Sequence, residues 1–105
     1  MLERDYQRRV IRMLEDRFPG CVILKNDSSY LQGFPDLTIL HHDRWAVLEV
    51  KAEADSPTQP NQEFYVQRLS EMSFSAFIYP DNEEEVLDAL QYAFQPRRAT
   101  RVPRR

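Results

Sequence analysis

The stretch from Gly33 to Lys51, GFPDLTILHHDRWAVLEVK, limits what this chain can fold into more than any other. It predicts two short strands, Asp36–Leu40 and Trp45–Lys51, joined by the polar turn His41-His42-Asp43-Arg44. Side chains alternate between the two faces of a strand. Asp36, Thr38 and Leu40 therefore share one face, as do Trp45, Val47, Glu49 and Lys51. Ala46, Leu48 and Val50 point the other way, toward a core. A hairpin closing symmetrically about that turn sets Leu40 opposite Trp45 and Asp36 opposite Glu49. Directly opposed Cβ atoms lie about 4.5–5.5 Å apart, and like charges so placed destabilise a sheet. One carboxyl group should then hold its proton unless a cation intervenes. A hard divalent ion with oxygen ligands removes the conflict. The pattern predicts a metal site at Asp36 and Glu49, with the Lys51 ammonium two residues on. Lys51 is one of two lysines among twelve arginines, and a point-charge ammonium suits steadying a water or a phosphate.

At 105 residues the chain fits one domain with one modest core. No apolar run approaches the roughly 18 residues that span a bilayer, and MLERDYQRR lacks the apolar centre of a signal peptide. One cysteine, Cys21, excludes an intrachain disulfide framework and suits a reducing cytoplasm. It opens an apolar run and reads as a buried structural thiol. Charge is unevenly spread. Residues 1–95 carry 17 acidic and 9 basic side chains, whereas residues 96–105 (PRRATRVPRR) carry five arginines and no acid. An acidic body is not the basic field of an ordinary DNA binder. The tail, with Arg97, Arg98, Arg101, Arg104 and Arg105, can hold a phosphate backbone or serve only as a solvated, flexible extension. The expected division is a folded domain over 1–95 and a basic tail over 96–105.

Leu2 to Phe18 predicts a helix with one apolar face made by Leu2, Tyr6, Val10, Met13, Leu14 and Phe18. Pro19-Gly20 ends it. Glu3 borders the apolar stripe, and Arg4, Arg8 and Arg12 form a row that can face phosphate; a glutamate in the first turn also complements the helix dipole. Cys21–Lys25 predicts a compact apolar strand. The polar loop 26–33 follows, in which Tyr30 or Ser28 can touch a sugar or phosphate. His41 and His42 read as loop residues, since adjacent histidines splay apart and chelate poorly. Trp45 is expected to pack beside the hairpin. A second helix is expected over Asn61–Met72, capped by Asn61 behind Pro60, with Phe64 or Tyr65, Leu69 and Met72 as its apolar positions. Ser73–Tyr79 predicts a fourth strand. A third helix follows, capped at Asp81-Asn82, with Val86, Leu87, Leu90 and Phe94 on its apolar face.

Pro35-Asp36, twelve intervening residues and Glu49-Val50-Lys51 resemble the signature of the PD-(D/E)XK nuclease superfamily. Gly33-Phe34-Pro35-Asp36 is similar to its small VRR-NUC branch. The order helix, three strands, helix, strand matches that superfamily's αβββαβ core, so the resemblance covers residues 1–95. It implies an α/β fold, a restriction-endonuclease-like mixed sheet flanked by helices, with a C-terminal helix and the basic tail added.

The resemblance implies a divalent-metal-dependent DNA endonuclease. Asp36, Glu49 and the Val50 carbonyl would hold Mg²⁺, with Mn²⁺ as a substitute, and Glu3 would join directly or through water. Lys51 would position the attacking water, and Gln62 would hold the constellation, with Gln59 as its competitor for that role. Arg4, Arg8 and the tail arginines would bind DNA. Proteins of this kind occur in phages and bacterial mobile elements and often act on branched DNA such as Holliday junctions. Cutting two strands calls for two sites, and hence a homodimer. Phe64, Tyr65, Phe74 and Phe77 are the aromatics expected at its interface. The alternative is a non-catalytic nucleic-acid- or protein-binding module that keeps the fold and works with a protein partner. The unneutralised pair Asp36 and Glu49 gives such a module nothing.

Overall fold

A computed structural model describes residues 1–96; Arg97, Arg98, Arg101, Arg104 and Arg105 lie outside the described residues. The chain runs α1 (Glu3–Arg17), β1 (Val22–Lys25), β2 (Leu37–His41), β3 (Arg44–Val50), α2 (Pro60–Ser70) and β4 (Phe74–Ile78). A 3₁₀ turn at Pro80–Asn82 then leads into α3 (Glu83–Ala93). The sheet order is β1-β2-β3-β4. Its first two pairings are antiparallel and the third is parallel, with α2 as the crossover.

The core lies on one face of this sheet. Leu37, Ile39, Ala46, Leu48, Val50 and Ile78 meet Tyr6, Val10, Leu14 and Phe18 of the α1 stripe and Val86, Leu87, Leu90 and Phe94 from the α3 region. The four α1-stripe residues recur every fourth position, which keeps them on one side of a 3.6-residue helix. Leu2 was expected in this stripe but is exposed, because the helix begins only at Glu3. Polar clasps join the two helices over the core. The Tyr6 hydroxyl donates to Glu83 Oε2 at 2.7 Å, and Arg17 reaches Asp88 Oδ1 at 2.7 Å. Burial and the Glu83 carboxylate push the Tyr6 phenol well above its ordinary range. Cys21 packs against the core half-buried rather than fully enclosed, and its thiol is raised by that burial.

On the other face α2 covers β3 and β4 only. There Val47 is buried beneath it along with Leu69 of the helix itself. Over β1 and β2 the same face is open, with Val22, Leu24 and Leu40 at 53%, 49% and 42% exposure. The first strand, the compact apolar strand that the sequence predicts, is thus an exposed edge.

Four further expectations are corrected. The hairpin turn is His42-Asp43 alone, because His41 and Arg44 pair as the last rung of the ladder. His42 takes φ 55° there, and His41 packs between Phe18 and Phe94. The second helix starts at Pro60 with Gln59, rather than Asn61, as its N-cap. Proline at the first helical position loses no hydrogen bond there. Phe64 and Met72 face solvent, leaving Leu69 as the one buried apolar residue of α2. Asn82 stands at the N-cap position of the last helix but caps none of its N–H groups; its Oδ1 accepts from the Tyr79 N–H and its amide donates to the Phe77 carbonyl instead.

Candidate active site

The β2–β3 register pairs Leu37 with Leu48 and Leu40 with Trp45. One step beyond Leu37–Leu48, Asp36 therefore stands across from Glu49, as the hairpin symmetry predicts. Asp36 lies just before the strand, and its Oδ2 accepts the Val50 N–H at 2.8 Å. Asn26 fixes that position from behind. Its backbone N–H donates to the Asp36 carbonyl at 2.8 Å, and its side chain donates to the Pro35 carbonyl at 2.8 Å and to Thr38 Oγ1 at 2.9 Å.

Glu49 is 2% exposed and Lys51 7%. Lys51 follows β3, with its N–H bonded to the Ile78 carbonyl at 2.9 Å. Its ammonium donates to Gln62 Oε1 at 2.8 Å and to the Pro57 carbonyl at 3.0 Å, and lies 3.8 Å from Glu49 Oε2. Gln62 completes the ring by donating from Nε2 to the same Glu49 oxygen at 3.1 Å. The Gln59 N–H donates to Gln62 Oε1 at 3.1 Å, locking that amide in orientation. Gln59 thus acts on the site through its backbone, while the Gln62 side chain meets both charged groups. Gly33 makes this approach possible. A Cβ on it would sit 2.4 Å from the Asn61 Cβ, and its φ of 88° suits glycine. The loop before Asp36 can therefore press against the first turn of α2.

Burial pushes the Glu49 carboxyl up to about 8, the Asp36 charge adds to this, and Lys51 only partly opposes it. Glu3 raises it further, though less. Glu3 stays exposed on the first turn of α1. Among the described residues no group of three His, Cys, Asp or Glu side chains converges as a metal cage. What does converge is Asp36 and Glu49, an all-oxygen pair of the kind hard cations select. A buried carboxyl beside a second one, short of positive charge, fits a divalent cation. Arg4, Arg8 and Arg12 are exposed along α1, and Arg8 is paired with Asp5 at 3.6 Å.

Two solved structures share this arrangement of helices and strands. One, a VRR_NUC domain, superposes with TM-score 0.60 at 21% identity, covering 84% of this chain and 96% of that one. The other, a VRR_NUC domain protein, gives TM-score 0.62 at 17% identity, covering 89% of this chain and 88% of its own. The chain shares the fold of these VRR_NUC domains. No protein-family model matches the sequence, and no curated protein matches it. In the VRR-NUC-like fold the sheet end carrying Asp36, Glu49 and Lys51 meets the first turn of α2, so residues distant in sequence share one site. Pro57 and Asn26 were not foreseen as parts of it. Pro57 contributes a backbone carbonyl, which no residue type announces. Asn26 carried one signal, a carboxamide at the exit of a strand.

Proposed function

We propose that this protein is a divalent-metal-dependent endonuclease that hydrolyses phosphodiester bonds of DNA. The observation that carries the reading is the buried Glu49 held against Asp36 and only partly offset by the Lys51 ammonium that Gln62 fixes. A buried carboxyl group beside a second, half-buried one opposes folding unless matched by positive charge, so their presence calls for a use. Asp36 and Glu49 would hold Mg²⁺ or Mn²⁺, with the Val50 carbonyl and Glu3 completing the donors. When bound, the cation supplies Lewis-acid polarisation of the scissile phosphate and charge for the transition state.

The chain's own groups do the rest. Asp36 is oriented by the Val50 N–H, which donates to Oδ2 at 2.8 Å. An ammonium has three donors. Two of those on Lys51 are committed to Gln62 and Pro57, and from its place 3.8 Å from Glu49 the ammonium would steady the attacking water or a phosphoryl oxygen with the third. Gln62 ties the lysine to Glu49 and keeps both from turning toward solvent.

DNA would be gripped by Arg4, Arg8 and the tail arginines, which offset the acidic body. We further propose selectivity for branched DNA and action as a homodimer, since one site cuts one strand. The 60% exposed Phe64 is an aromatic open to such an interface. The test is nicking of supercoiled plasmid and of a four-way junction with and without Mg²⁺. Asp36→Ala, Glu49→Ala and Lys51→Ala are each expected to abolish cleavage while circular dichroism and melting show a retained fold. Full cleavage by Glu49→Ala, or cleavage indifferent to chelator, overturns the assignment. Light scattering at micromolar concentration reads the mass, and a monomer removes the dimer.

A further inference from the structure

The loop between β1 and β2 carries an aromatic wall that the cleavage chemistry leaves unused. Tyr30 is 90% exposed. With Asn26, Asp27, Leu31 and Phe34 it lines a cleft of about 340 Å³. An exposed ring on a loose loop would mean little, but this loop is tied down. Asp27 Oδ1 accepts both the N–H and the hydroxyl of Ser29, at 2.8 and 2.6 Å. The Tyr30 N–H donates to the Asp27 carbonyl at 3.2 Å, and the Phe34 N–H to the Leu31 carbonyl at 3.1 Å. The Phe34 ring packs on Tyr65 of α2 with centroids 5.7 Å apart. At the floor, Asn26 bonds to the backbone of Pro35 and Asp36. Direct hydrogen bonds thus join the cleft to the backbone of Asp36, the first acidic residue of the site.

The lining decides what can enter. It offers two aromatic rings, a leucine and one carboxylate, and no cation. A phosphate would meet Asp27 with nothing to neutralise it. The part of a nucleic acid with an apolar face is the base, and in a paired duplex that face is covered by its neighbours. Only an unpaired or extruded base presents it. We propose that this cleft receives one unpaired nucleobase, stacked on Tyr30, from the strand whose phosphate lies at Asp36 and Glu49. The protein then selects DNA with an unpaired nucleotide beside the cut, which rests on the endonuclease reading above. The Asn26 amide is already bonded to Pro35 and Thr38. Recognition is therefore by stacking, which tolerates any base.

Binding of the full chain is measured with Ca²⁺ in place of Mg²⁺, on duplexes carrying 2-aminopurine either paired or as a single bulged nucleotide. The bulged duplex is expected to bind about tenfold more tightly, the scale of one base stacking on an aromatic ring, with its emission quenched. Tyr30→Ala brings the ratio of affinities close to one, and Tyr30→Trp preserves it. Melting curves of both variants check that they fold. Equal affinities in the wild-type protein, or a ratio that Tyr30→Ala leaves unaltered, overturn the proposal. Plasmid nicking in Mg²⁺ is scored separately. Nicking without the binding preference sinks this inference alone, the preference without nicking sinks the endonuclease reading, and no binding of either duplex sinks both.

Discussion

β3 is buried on both faces, but by different means. Toward α1 and α3 it presents Ala46, Leu48 and Val50, all at 0% exposure and wholly apolar. Toward α2 it presents Val47 and then Glu49, with Lys51 just past the strand end, nearly as well enclosed. Apolar burial stabilises in proportion to the area removed from water. Burying a charge opposes folding unless it is paired and hydrogen-bonded. The first face therefore holds the sheet together. The second, shielded by the single helix α2 and open over β1 and β2, carries groups that work against stability. A strand anchored on one side can tolerate a strained arrangement on the other.

That contrast predicts opposite responses from adjacent residues. Leu48→Ala leaves a cavity in the main core and should lower stability by about 2–5 kcal/mol. In a domain of this size each kcal/mol moves the melting point by about 4–8 °C. A calorimetric scan with Leu48→Ala melting as the wild type would show that the α1–α3 face is not the anchor. Next in size, Gln62→Ala should reduce cleavage by about 10- to 100-fold, the usual effect of losing a group that orients metal-site ligands. Its melting point should hardly change. Gln59→Ala should cut normally, because the Gln59 backbone N–H is what holds the Gln62 side-chain amide. A large fall in stability for Gln62→Ala would instead make that amide part of the scaffold.

A smaller effect should appear in the metal-free protein as pH changes. Glu49 is raised from 4.5 to about 8, so the folded state holds this proton more tightly than the unfolded chain. The resulting stability is fully present below pH 4.5 and is lost as pH rises toward 8. Glu49→Gln cannot ionise. In the presence of chelator it should melt above the wild type at pH 9 and close to it at pH 4. Curves that stay parallel across that range would mean that Glu49 ionises freely in the fold. The smallest expected change concerns neither face. Removing residues 97–105 should flatten the dependence of log affinity for DNA on log salt by about 0.9 for each phosphate that the tail had neutralised. An unchanged slope would leave the tail without a role in binding.

How much of this was legible beforehand differs between the two faces. The α1 and α3 stripes, the strands and their order follow from local periodicity, which 3.6- and 2-residue repeats impose on any chain. The opposition of Asp36 and Glu49 was legible too, because hairpin register follows from turn symmetry and alternation alone. The cap of α2 was misplaced by two residues, since Asn61 is the better capping residue type while Gln59 is the one in position. The exposure of β1 was not legible either. Val22, Ile23 and Leu24 read as an apolar strand, but the sequence order of strands does not say which faces the helices leave bare. Gln62 was expected near Lys51 only through the family resemblance, and the tertiary structure alone brought the Pro57 carbonyl to the Lys51 ammonium and set Gly33 against Asn61. These contacts join residues that no repeat relates, through a loop and a crossover helix whose path is fixed by packing. The sequence by itself determined which chemical groups are available and which strand carries them. Packing of α2 onto the sheet decided how deeply they are buried, and therefore the charge state in which they wait.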